Sequence, residues 1–372
     1  MPCPGAGPAA QLKKVRLMNP GTDTPLLLAY EGVLPRLLGP VRSAVGAAVL
    51  GRVTLGADAV LGVMAVLRAD GHVIEVGAGL HLGRHSTVHI AHGVYGSFIG
   101  AHVSVGANAV VHACTVGEDC VVQDDVAILD GASVGAGSAL AAGSVVYPRT
   151  RLPPGHWCAG APAVAVRPLA SGELQALHDA VRTAPAGAAP APLHTGTRQP
   201  GASPGAYVAA TVTGSGPVQL AAGSSLWFGC ELQTAGQGLA LGEHSNVQDN
   251  SVLHAATQPI HIGAGCTIGH NVFMEGCSVG DRVLVGMSSR IAAGTVIESD
   301  VLVAAGSTTL PGQVLQGGWL WGGRPARRLL VLDEAKRSVI ERSARVYGDY
   351  AREFAQRQAE ASARSLLPRT LT

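Results

Sequence analysis

The chain has 372 residues, enough for two or three domains, and a net charge of +1 with no long run of either sign. Such a balance gives no concentrated cationic face for phosphate, so nucleic acid is not expected as a partner. Glycine (50) and proline (22) are abundant, charged residues make up 14%, aromatics 4% and hydrophobic residues 47%, which excludes global disorder and points to a core of small aliphatic layers.

The longest uncharged apolar run, Ala59–Leu67, is far too short to span a bilayer, so no membrane is expected as a partner. Behind Met1 the first twenty residues hold Lys13, Lys14 and Arg16 but no apolar core, so no secretory signal is expected. Seven cysteines (3, 114, 120, 158, 230, 266, 277) form no Cys-x-x-Cys pair. An odd count without a signal reads as buried thiols in a reducing compartment, and a cytoplasmic location is expected, with an organelle as the alternative.

Residues 1–25 read as an irregular N-terminal arm, and 26–183 as a first domain. From Val45 an aliphatic residue recurs about every six positions, through Leu50, Leu55, Leu61 and Leu67, and after a short excursion at Val76, Leu82 and Val88. After an excursion from His89 to Phe98 the series continues at Ile99, Val105, Val111, Val116, Val122, Ile128, Val134, Leu140 and Val146. Neither helical nor alternating periodicity accounts for sixes over a hundred residues. A hexapeptide repeat does: each six makes one short strand and a corner, and three make one coil of a parallel β-helix. Ser171–Thr183 reads as a short helix with Ser171 as N-cap and Leu174, Leu177 and Val181 on one side. Residues 184–206, rich in Pro, Ala and Gly, read as a linker.

A second domain, 207–372, repeats the pattern with leaders Leu232, Leu241, Val247, Leu253, Ile262, Ile268, Met274, Val279, Val285, Ile291, Ile297 and Val303. A long amphipathic helix follows from Asp333 to about Ser365, with Ile340, Ala344, Tyr347, Tyr350 and Phe354 on one packing stripe. The fold class is therefore mainly β: two tandem parallel β-helices, each followed by a C-terminal helix. Residues of the copies correspond at an offset of 165 up to His89/His254 and 163 from Val105/Ile268 onwards, the difference falling in the loop after His89.

Leaders three apart stack, so the residues after them form columns about 4.8 Å apart from coil to coil. On one face of copy two, here face A, Gln233, His254 and Glu275 form such a column; on another, face C, Asp249 and His270 stack two places after their leaders. His270 and Glu275 lie five extended residues apart, roughly 16 Å. Both cannot reach one metal within a domain, so a site must lie between domains. Copy one has Arg68, His89 and His112 on face A, and Arg84 and Ala107 on face C. Joining face A of copy one to face C of copy two gathers His89, His112 and His270 at one point and brings Arg68 towards Asp249.

These residues, with Asn246-Val-Gln-Asp-Asn-Ser-Val-Leu-His254, Ile268-Gly-His270, Gly276-Cys277, Val285-Gly-Met287 and Gly323-Arg-Pro-Ala326, resemble γ-class carbonic anhydrases and their hexapeptide-repeat relatives. The resemblance covers roughly residues 40–183 and 207–360. It implies the left-handed form of the β-helix and a trimer holding zinc between subunits, two histidines from one and one from the next. Carried over, the ligand positions are His89, Ala107 and His112 in copy one, and His254, His270 and Glu275 in copy two; neither set is complete. The family's arginine and aspartate stand as Arg68 and Asp70 but as Gln233 and Ala235 in copy two, and its Gln-Asp pair as Gln248 and Asp249 but as Gly83 and Arg84 in copy one. The function implied is zinc-dependent hydration of CO2 to bicarbonate, with Gln248 orienting the nucleophile and Arg68–Asp249 tying the interface; iron or cobalt accepts the same ligands. His254 with Glu275 forms a second candidate metal site or a hydrogen-bonded remnant facing Arg84. Two other functions stay open: a non-catalytic scaffold, and an acyl-coenzyme A-dependent acyltransferase with the loop His92-Gly-Val-Tyr-Gly96 as its candidate. Association into homo-oligomers through the β-helix faces, or with a related subunit, is expected.

Overall fold

The computed structural model describes residues 24–184, 201–203, 205–234 and 237–366. The expected arm, 1–25, lies outside them as far as residue 23, and most of the expected linker, 185–200, lies outside them as well.

Both copies fold as parallel β-solenoids whose hexad leaders point inward. Val111 pairs with Val88 above and Ile128 below, and Ile268 with Val247 and Val285, all in parallel register. These leaders are fully buried, so the six-residue rhythm is the core pattern itself. The glycine that follows many leaders answers to the coil spacing: a Cβ on Gly100 would sit 2.4 Å from Glu118 N. Corners need left-handed backbone, and Asn108, Asn250 and Asn271 supply it at φ of 55°, 58° and 56°. In copy two three faces form sheets of seven, eight and five strands. In copy one two faces merge into a 12-stranded sheet, because Ala48–Leu55 and Val66–Val76 continue through a corner.

The second solenoid begins earlier than its periodicity indicates. Gly201–Ala202, inside the stretch read as linker, pairs in parallel with Gln219 and Leu220. Each solenoid closes with an antiparallel hairpin, His156–Gly160 with Ala163–Pro168 and Trp319–Gly323 with Ala326–Val331.

Helix α1, Glu173–Thr183, packs on strands Ser104–Val105 and Val121–Val122 of face C. Its N-cap is Gly172 at φ 78°, not Ser171. Glu173 turns back to accept from Ala170 N (2.9 Å) and pairs with Arg167, and no side chain caps the first-turn N–H groups. Helix α2, Glu334–Leu366, is capped by Asp333, whose Oδ1 accepts from Lys336 N at 2.8 Å. Its stripe of Ile340, Ala344, Tyr347, Tyr350 and Phe354 is buried on face C of copy two. Tyr30 of the first copy meets Tyr350 edge-on and Phe354 at a tilt, so α2 touches both solenoids. No helix among the described residues is long and apolar enough to cross a membrane.

Because α2 covers face C, it is the corner beside that face, not its flat surface, that meets copy one. The column Arg68, His89, His112, Leu129 and Tyr147 of copy one lies against the corner column Asp249, His270, Met287 and Ala305 of copy two. One half of this seam is apolar, where Leu129, Val110, Ala127 and Val145 pack with Met287 and Ala305. Polar corner residues lock the register: Asn271 Nδ2 donates to Asn108 Oδ1 at 2.8 Å, and Asn250 Nδ2 to Thr87 Oγ1 at 2.9 Å.

Candidate metal centre

The other half of the seam is the candidate site. Strands Thr87–His89 and Val110–His112 pair residue for residue, so His89 and His112 stand one above the other. His270 enters from the corner after strand Thr267–Ile268. His89 Nδ1 lies 3.2 Å from His112 Nε2 and 3.2 Å from His270 Nε2, and one nitrogen from each ring lies within 4.8 Å of the others. All three rings are buried. Ligands held about 2.0–2.1 Å from a tetrahedral zinc are about 3.3 Å apart, close to these separations.

Each outer nitrogen faces a carboxylate. His89 Nε2 is 2.7 Å from Asp70 Oδ1 and His112 Nδ1 is 2.6 Å from Asp130 Oδ1. His270 Nδ1 is 3.1 Å from Asp249 Oδ2, in ion-pair range though off the line of a hydrogen bond. Carboxylates on the outer nitrogens fix the protons there and leave the inner nitrogens as lone pairs, the arrangement of metal-ligating histidines. Lone pairs facing one another at 3.2 Å repel unless a cation or proton lies among them.

Arg68 braces the centre and is fully buried. Its Nε and Nη2 donate to Asp249 Oδ2 at 3.0 and 2.8 Å, Nη2 also to the Tyr347 hydroxyl at 2.8 Å, and Nη1 to Asp70. The guanidinium stacks 4.5 Å over the Trp227 ring. Burial alone would lower its pKa, but Asp249 and Asp70 override this and hold it well above the usual value. Burial lifts the Asp70 carboxyl to about 7 against the pull of Arg68. Asp249, buried too, is held below the usual carboxylate range by Arg68 and His270. Burial lowers His270 to about 4 and His89 well below its ordinary value, so both rings are neutral, as metal ligands must be. Three inward-facing imidazole nitrogens, each backed by a carboxylate, form a donor set of the kind that holds a divalent cation. The donor set therefore fits such an ion.

The Tyr347 hydroxyl accepts from Arg68, which frees its proton towards His270 Nε2 at 3.2 Å. Gln248 is buried beside Asp249 and donates weakly to Asn246 Oδ1 at 3.4 Å. His254 and Glu275 stack as their register requires, but stand 3.9 Å apart and partly exposed. Among the described residues, only His89, His112 and His270 form a set of three metal-type donors; His254 and Glu275 have no third. Sequence reasoning missed Asp130 and read Tyr347 only as packing. His92 of the loop meets the Tyr350 hydroxyl at 2.9 Å. Apart from Cys3, outside the described residues, the cysteines are free and buried.

Comparison with known proteins bears on this site. The family model described as the hexapeptide repeat of succinyl-transferase matches residues 98–129, 259–288 and 276–308. Gamma carbonic anhydrase 1, mitochondrial, of Arabidopsis thaliana is 35% identical over 162 residues, 42% of this chain and 59% of that protein. Carbonic anhydrase of Geobacillus kaustophilus is 30% identical over 44% of this chain and 92% of its own length, and Protein YrdA of Escherichia coli 31% over 37% and 80%. A solved hexapeptide transferase family protein from Anaplasma phagocytophilum is 32% identical with a TM-score of 0.40, covering 41% of this chain and 91% of that one. The chain belongs to the γ-carbonic-anhydrase-like hexapeptide-repeat family. It spans between 53% and 66% of the length of the three Arabidopsis relatives.

Proposed function

We propose that the chain is a γ-carbonic-anhydrase-like protein that binds one divalent metal ion between its two solenoids and hydrates CO2 reversibly there. The observation that carries this reading is the convergence of the three imidazole nitrogens, each backed by a carboxylate, on one point of the seam. Zinc bound there would act as a Lewis acid that makes water nucleophilic near neutral pH; iron or cobalt accepts the same donors.

The chain's own residues supply the rest. His89, His112 and His270 are the ligands, and Asp70, Asp130 and Asp249 hold their rings and tautomers. Arg68 ties Asp70 to Asp249 across the seam and keeps the two halves in register. Tyr347, whose proton is released from His270 Nε2 once that nitrogen is a ligand, donates towards the reacting centre, and Gln248 orients the nucleophile. Burial under Trp227 and α2 excludes bulk water and strengthens each polar contact. Stopped-flow CO2 hydration with zinc-loaded full chain tests the reading; hydration no faster than buffer in a metal-replete sample overturns it.

One observation favours the scaffold as a second reading. Copy two keeps the column geometry of His254 and Glu275 without a third donor among the described residues, so half of the inherited site has become framework. That open column, with Arg84 and Ala107 on copy one, is the surface through which a further solenoid, from another copy or a related subunit, would associate. The Arabidopsis relatives are named as mitochondrial proteins, which favours an organelle over the cytoplasm here; localisation of the tagged full chain decides between them.

A further inference from the structure

We propose that Asp130 is the positioning residue for His112: it fixes which nitrogen of that ring faces the metal, and it forms the solvent-side rim of the centre. This rests on the metal-centre reading above. Asp70 and Asp249 are wholly buried and share Arg68, whereas the Asp130 side chain is 42% exposed and meets the ring of His112 at 2.6 Å. Of the three carboxylates it is therefore the one in contact with water. It reaches the ring from the next coil, since strand Ala127–Ile128 pairs with Val110–His112 and Asp130 follows two residues after Ile128.

The second copy supports the pairing. The position matching His112 is Glu275, and the position matching Asp130 is Ala293. Where the imidazole has been lost, so has the carboxylate behind it. Without an acceptor at Nδ1, the His112 ring is free to turn or to carry its proton on Nε2, where an N–H in place of a lone pair opposes a cation.

Cobalt(II) and zinc(II) titrations of the full apo chain against a competing chelator test the inference, with Asp130→Ala, Asp130→Ser and Asp130→Asn beside the parent. Alanine and serine, too short to reach Nδ1, are expected to weaken binding about 10- to 100-fold and to change the visible cobalt band. Asparagine, which still offers an oxygen acceptor, is expected to recover most of the affinity and the parent spectrum. Thermal unfolding temperatures of the apo forms should fall only modestly, by the loss of one hydrogen bond to a half-exposed carboxylate, which leaves the chain folded for the titration. Parent-like affinity and an unchanged cobalt band in Asp130→Ala or Asp130→Ser would overturn the role while leaving the metal centre intact. A parent chain that takes up neither ion overturns the metal centre, and this inference with it.

Discussion

Where copy one has Arg68, Asp70, His112 and Asp130, copy two has Gln233, Ala235, Glu275 and Ala293; where copy two has Asp249 and His270, copy one has Arg84 and Ala107. The strands that carry His89 and His112 pair in the same register as those that carry His254 and Glu275, so the difference there lies in side chains and not in fold. On the proposed reading each copy keeps the half of the site that faces the other, and of the outward column copy two retains His254 beside Glu275 without a third donor among the described residues. The helices diverge in the same sense: the position matching Tyr347 is Ala184, one residue past the end of α1, whereas α2 runs on and delivers Tyr347 to the centre. On the proposed reading, two diverged copies joined in one chain share one centre, and the columns facing outward carry no ligand role.

Exchanging residues between the two halves breaks or sharpens this asymmetry. The largest effect is expected at the brace. Arg68→Ala strands two buried carboxylates and should cost about 3–5 kcal/mol of unfolding free energy, whereas Gln233→Ala at the matching exposed position should stay within about 0.5 kcal/mol; urea unfolding of both variants measures the contrast. Next comes the partner histidine: His270→Ala should weaken metal binding by more than about 100-fold, beyond what an outer carboxylate costs, as read by chelator competition. Tyr347→Phe keeps the ring but removes the hydroxyl that Arg68 bonds, and should cost about 1–2 kcal/mol in the same unfolding measurement. The smallest change is expected from Glu275→His, which restores the histidine column of copy two without a third donor; metal content should stay at one ion per chain, and a second tightly held ion would mean that another solenoid completes that column.

Much of this was legible in the sequence because a solenoid converts spacing into position. Hexad leaders became buried core residues, and the residue after each leader became a column, so Arg68, His89 and His112 could be stacked before any coordinate was known. Mixed pairing followed from the incompleteness of each set, and the structure brings His270 to His89 and Asp249 to Arg68. What lay beyond reach depended on contacts across coils. Asp130 belongs to a different hexad from the ring it holds, and its signal was the contrast with Ala293. Tyr347 sits in an apolar stripe that its ring satisfies equally well, so nothing in the helical pattern marked the hydroxyl as a site group. The start of α1 falls at a left-handed Gly172 without a side-chain cap, while Glu173 bonds back to Ala170, a local geometry that a serine in the neighbouring place obscured.

The most direct test of a single centre shared by two diverged halves is metal per chain, by mass spectrometry, on anaerobically purified full chain beside His89→Ala and His270→Ala. The account predicts about one divalent ion per parent chain and almost none in either variant, because each half supplies ligands the other lacks. A parent chain without metal, or a His270→Ala chain that keeps its full complement, would contradict it.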